Sequence, residues 1–144
     1  MKLLFKILIG TLIVTSCSNN NSTEVVKSMN EPNRPIKVLT ELALNEGDID
    51  AYNELETAYL DYEHGSFLNY AKEMADKHNY PQAYYDTYIQ LLKPTDAPGV
   101  TINLDSCDLE TRELAIKYLR RASELGFEPG DDELKYLEKE GYIK

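Results

Sequence analysis

Side chains able to do chemistry are sparse in this 144-residue chain, and few of them sit at spacings that chemistry requires. The two histidines, His64 and His78, form no His-x-x-x-His pair and share no metal-ligand spacing with a cysteine, so no metal site is expected. His64 falls in a predicted turn; His78 falls near a helix C-terminus, where a partly charged imidazole complements the helix dipole. Cys107 stands alone ahead of a helix start and reads as a packed or idle thiol. The run Asp131-Asp132-Glu133 lacks the alternating oxygen ligands of a calcium loop, and acids in a first helical turn are favoured by the dipole alone. There is no glycine-rich phosphate loop and no Gly-x-Ser-x-Gly elbow. The expectation is therefore no catalytic residue, no metal and no cofactor. An enzyme would need a pocket joining His64 or His78 to clustered carboxylates.

Tyrosine is the unusual residue, with eleven copies against no tryptophan. Tyr52, Tyr59 and Tyr62 fall on one predicted helix, and Tyr80, Tyr84, Tyr85 and Tyr88 on another. The first expectation is that the rings fill space between helices while the hydroxyls reach solvent. The other is that Tyr52, Tyr62, Tyr84 and Tyr85 line a groove and bind a partner, since a rigid amphipathic ring gives contact area at low entropy cost.

The one reactive group with a defined setting is the Cys17 thiol. Lys2 and Lys6 flank the start of an apolar run, Ile7 to Val14, which is far shorter than the ~20 residues that span a bilayer as a helix. It reads as a removable leader, residues 1–16. The run ends in Val14-Thr15-Ser16-Cys17, where two small residues suit a peptidase cleft and the thiol is a nucleophile for lipid transfer. This junction resembles the bacterial lipoprotein signal motif. The resemblance implies cleavage before Cys17, lipid attachment there with palmitate-type chains, and, because Ser18 rather than an acid follows, a place in the outer membrane facing the periplasm. Residues 17–34 are polar and rich in Asn and Ser, and read as a flexible tether. An ordinary secretory signal is the alternative; Cys17 and Cys107 would then be free to form a disulfide in an oxidising compartment.

What remains, residues 35–144, is one domain. The formal charge of −10 becomes −12 once Lys2 and Lys6 leave with the leader. Such a balance repels phosphate backbones, so nucleic acid is not an expected partner. It serves solubility, or an acidic face that docks a basic protein.

Helical periodicity recurs through this domain. Ile36, Leu39, Leu42 and Ala43 form a first stripe stopped at Gly47, and Asp48 or Asp50 caps a second with Ala51, Leu55, Ala58, Tyr59 and Tyr62. A third helix is predicted from near Ser66, and a fourth after Asn79 with Pro81 in its first turn. An irregular insertion at 94–107 includes Val100-Thr101-Ile102 as a brief extended piece. Asp108 caps a fifth helix ending at Gly126, and a sixth is expected from about Asp131 to Glu140. The helices fall into three pairs with one spacing: Ala43, Ala51 and Leu55; Ala75, Ala83 and Thr87; Ala122, Gly130 and Leu134. Small residues at the first two places let antiparallel helices approach closely across a short turn.

The stretch Glu46 to Tyr59 resembles the second half of a Sel-one-like repeat, a subfamily of the tetratricopeptide-like repeats, and Leu114 to Gly126 resembles its first half. The similarity covers roughly residues 36–140. It departs from the pattern at Asn79 and Tyr80, where glycine is usual, and at Gly130, where alanine is usual. The resemblance implies an all-α fold, a short α-solenoid of about three antiparallel helical hairpins, and a role as a membrane-anchored scaffold or adaptor that binds a protein or peptide. The alternative from another class is an immunity or inhibitor lipoprotein that binds one toxin or envelope enzyme.

Overall fold

A computed structural model describes residues 28–60, 65–93, 104–105 and 107–143. Among them every regular element is helical: α1 (Ile36–Glu41) running into a π-helical turn (Leu42–Glu46), α2 (Ile49–Ala58), α3 (Leu68–His78), α4 (Pro81–Leu91), α5 (Leu109–Glu124) and α6 (Glu128–Lys139). The leader, Cys17, most of the tether, Tyr62, His64 and the extended piece expected at 100–102 lie outside the described residues.

Local chemistry starts and stops the helices. Asp48 Oδ1 accepts from the Ala51 amide at 2.9 Å and Asp108 Oδ1 from the Thr111 amide at 2.9 Å, each satisfying a donor that the helix leaves unpaired. Asp108 was expected to cap, and of the two candidates Asp48 and Asp50 it is Asp48 that does so. The turn inside each pair of helices needs a left-handed backbone, supplied by Gly47 (φ 70°), Asn79 (φ 54°) and Gly126 (φ 81°). Asn79 thus does what glycine does in the other two turns, because its short polar side chain tolerates this region. Gly47 also has no room for a side chain, since a Cβ there would lie 2.7 Å from Nδ1 of His78.

Two boundaries differ from expectation. The last helix begins at Glu128 rather than Asp131, because Pro129 sits in its first turn with φ already set for a helix. The first helix is not uniform; its second half widens into the π turn before Gly47.

The small-residue spacing marks where paired helices cross. Ala43, Ala51, Leu55, Ala75, Ala83, Thr87 and Ala122 are all fully buried, Gly130 is buried and Leu134 half-buried. At the α5/α6 crossing a Cβ on Gly130 would stand 3.0 Å from Cβ of Ala122, so glycine there sets how near the two helices come. Around these crossings Leu39, Leu55, Met74, Leu119 and Tyr52 fill one continuous core. Each such fully buried apolar side chain contributes about 1.5–3 kcal/mol.

The hairpins stack, because each helix also touches the next but one. Along one row, Lys77 Nζ and His78 Nε2 at the end of α3 donate to the Leu44 carbonyl of the π turn at 2.6 and 2.9 Å. Tyr118 of α5 in turn reaches Asp76 of α3. Along the other row, Tyr52 of α2 reaches Asp86 of α4, and Tyr88 of α4 reaches Glu133 of α6. Three antiparallel helical hairpins therefore form a short all-α solenoid in which each repeat leans on its neighbour. Ahead of α1, the Arg34 amide and Nε both donate to the Glu54 carboxylate at 2.8 Å, tying the end of the tether to α2.

Candidate functional site

The tyrosines have a shared use. Tyr52, Tyr88 and Tyr118 are buried rings whose hydroxyls donate to a carboxylate on the helix two places away: Tyr52 to Asp86 at 2.8 Å, Tyr88 to Glu133 at 2.8 Å, and Tyr118 to both oxygens of Asp76 at 2.9 Å. A ring fills the gap between stacked hairpins and its hydroxyl fixes their register. The expectation that these hydroxyls reach solvent is corrected: they reach acids, since a buried phenol needs a partner and a carboxylate is a strong one. Burial, followed by the acid partner, raises the pKa of both Tyr52 and Tyr88, so they remain neutral donors.

Two of these acids stand in opposite settings. Burial pushes Asp76 upward, but its bonds from Lys72 (2.7 Å) and Tyr118 outweigh that and hold its carboxyl below the usual range. Lys72 also lies 5.7 Å above the Tyr118 ring, a cation–π contact that adds to the same corner. Asp86 has no ion pair among the described residues, and burial, then the neighbouring Glu56, push it up to about 7.

An open depression of about 600 Å³ runs along α5 beside the ends of α3 and α4. Its apolar part is Tyr84, Ile116 and Tyr118, with the two rings 5.8 Å apart. Its cations are Lys117, Arg120 and Arg121, drawn from the most basic stretch of an acidic chain. Asp76, Glu113 and Glu124 balance them, Glu124 by accepting from Arg121 at 3.0 Å. Arg121 and the Tyr84 hydroxyl both donate to Oδ1 of Asn79, each at 3.2 Å, so the α3/α4 turn anchors the edge of the depression. Rings flanked by charges of both signs suit a peptide of mixed polarity better than a uniformly basic one.

Of the four tyrosines expected at a partner surface, the three described ones do not share one face. Tyr52 is fully enclosed and holds α2 against α4, so it presents no ring to a partner. Tyr85 is half-buried against Phe127 and Tyr88. Tyr62 lies outside the described residues, and Tyr84 alone lines the depression. The charged positions on α5 were not expected from sequence, although three bases within Lys117–Arg121 on a helix of otherwise regular amphipathic pattern were a visible signal. His78 lies against Gly47 and bonds the Leu44 carbonyl, a structural use. Cys107 donates its thiol to the Leu104 carbonyl at 3.2 Å.

Among the described residues no group of three His, Cys, Asp or Glu side chains is placed to hold a metal ion, and no helix is long and apolar enough to cross a membrane. No family model, curated protein or solved structure matches the chain.

Proposed function

We propose that this chain is a lipid-anchored, protein-binding scaffold of the bacterial envelope, carried on Cys17 at the outer membrane and facing the periplasm. The observation that carries the reading is the depression on α5, where Tyr84, Tyr118 and Ile116 offer an apolar floor beside Lys117, Arg120 and Arg121. Stacked helical hairpins expose the same face of successive helices, which is how Sel-one-like and tetratricopeptide-like proteins, which the sequence resembles, present peptides with a long surface. The lipoprotein-like junction adds the anchor, and the polar tether gives the domain reach from the membrane.

Photo-crosslinking in intact cells tests this reading. A photoreactive residue at Lys117 is expected to capture protein partners, and the adducts are expected to vanish in a Tyr84→Ala background. The same residue placed at Glu138, on exposed α6, is expected to capture none of them. Absence of any adduct at Lys117 would remove the scaffold reading. A single basic protein captured at Glu138 would support the inhibitor alternative, since α6 is rich in acids.

A further inference from the structure

Asp86 and Glu56 occupy the joint between the first and second hairpins, and every bond they accept there comes from a neutral group. Tyr52, fully buried, donates to Asp86 Oδ2 at 2.8 Å, and Gln82 Nε2 donates to Glu56 Oε2 at 3.0 Å. Tyr80 donates to Gln82 Oε1 at 3.0 Å and meets the Tyr52 ring edge-on at 5.6 Å, which closes the chain of contacts. Beside them Asn53 Oδ1 is buried with no hydrogen-bond partner. Neither acid has a cation within ion-pair distance among the described residues.

Two half-buried carboxylates between packed helices without a counter-ion cannot both ionise at little cost, because burial strips water from each and the charge on Glu56 disfavours one on Asp86. The charged and titratable groups around Asp86 do not remedy this. α2 brings Tyr52 and Glu56 toward it, α4 itself brings Gln82, and the turn after α4 brings the more distant, exposed Lys93. α6 brings Glu133 only as far as Tyr85 and Tyr88, where it adds further negative charge. On α3 and α5, Lys72, Asp76 and Tyr118 are engaged with one another in the other row.

We propose that the α2/α4 joint is a proton-controlled hinge: with Asp86 protonated the first hairpin is locked onto the second, and loss of that proton loosens it. In the α3/α5 row of the other joint the acid is compensated, since α5 docks on α3 through an Asp76 that Lys72 neutralises. The electrostatics agree in sign. Burial, then Glu56, raise Asp86 to about 7, and burial also raises Glu56. An acid whose folded pKa lies above its unfolded value favours the folded joint at low pH, and that contribution is lost as pH climbs from about 4 toward 7.

Hydrogen exchange measured by mass spectrometry on the full chain in detergent micelles tests the hinge, with rates corrected for the intrinsic effect of pH. Between pH 5.5 and 8 the opening equilibrium of α2 amides is expected to rise at least about tenfold, while that of mid-α5 amides changes less than about twofold. Asp86→Asn is expected to abolish the rise, because a carboxamide keeps the Tyr52 bond and cannot ionise. A rise of equal size in α5, an unchanged α2, or an Asp86→Asn protein that responds as the parent does would each overturn the proposal. Should that variant fail to fold, the carboxyl carbon shift of Asp86 in the unaltered chain decides the matter. A midpoint within a unit of 7 supports the hinge, and a midpoint below 5 overturns it.

Discussion

A Cys17→Ala precursor is expected to stay uncleaved, to take up no labelled palmitate, and to keep the helical circular dichroism of the parent. The thiol is the only atom at the junction that can accept a diacylglycerol, and neighbouring Ser16 and Ser18 offer far weaker nucleophiles near neutral pH. On the proposed reading, anchoring would follow directly from that bond: each buried methylene contributes roughly 0.8 kcal/mol, and two or more chains hold a protein stably where one alone binds marginally. Loss of the label should therefore be complete and not graded. The fold should be indifferent, since the helices among the described residues begin at Ile36, well beyond Cys17. Gel mobility and radiolabel incorporation read the outcome. A variant that is cut and labelled like the parent would remove the anchor from the proposed function.

A second large effect is expected at the α5/α6 crossing. Gly130→Leu should lower stability by about 2 kcal/mol and the melting temperature by roughly 5–15 °C. Its Cβ would meet Ala122 Cβ at 3.0 Å and the Ser123 amide nitrogen at 3.4 Å, so the rest of the side chain has to force α6 away from α5. Replacing a helical glycine returns about 0.8–1 kcal/mol of helix propensity, which offsets part of that cost. Gly130→Ala places only the Cβ against Ala122, and the same propensity gain makes it close to neutral. Urea unfolding of both variants separates the two contributions. A leucine variant as stable as the parent would show that the crossing is not set by small residues.

Much of this architecture is legible in the sequence because it is local. Asp48, Asp108 and Pro81 announce helix starts through groups within one turn, and the repeated spacing of Ala43 and Ala51, Ala75 and Ala83, Ala122 and Gly130 finds each crossing across a short loop. Pro129 carries the same kind of signal, and attending to it places the last helix correctly. Contacts between hairpins are different. Tyr52 meets Asp86 across 34 positions, and Tyr118 meets Asp76 across 42, with no local pattern to mark either pair. A tyrosine on a helical stripe looks the same whether its hydroxyl ends in water or on an acid, which is why the sequence leaves Tyr52 open between a space-filling ring and a groove residue, and the packing encloses it. The depression on α5 is hidden for the same reason, since Tyr84 and Ile116 become neighbours only after α4 and α5 dock.

Stacking of alternate helices is what the scaffold reading and the hinge both require, and nuclear Overhauser contacts between aromatic rings and their neighbours measure it most directly. In the full chain in detergent micelles, cross-peaks are expected for Tyr52 with Tyr80, for Tyr85 with Phe127 and for Lys72 with Tyr118, whose separations are 5.6, 5.5 and 5.7 Å. Each joins elements from different hairpins. Cross-peaks confined to single hairpins, with these three missing, would contradict the stacked arrangement and everything built on it.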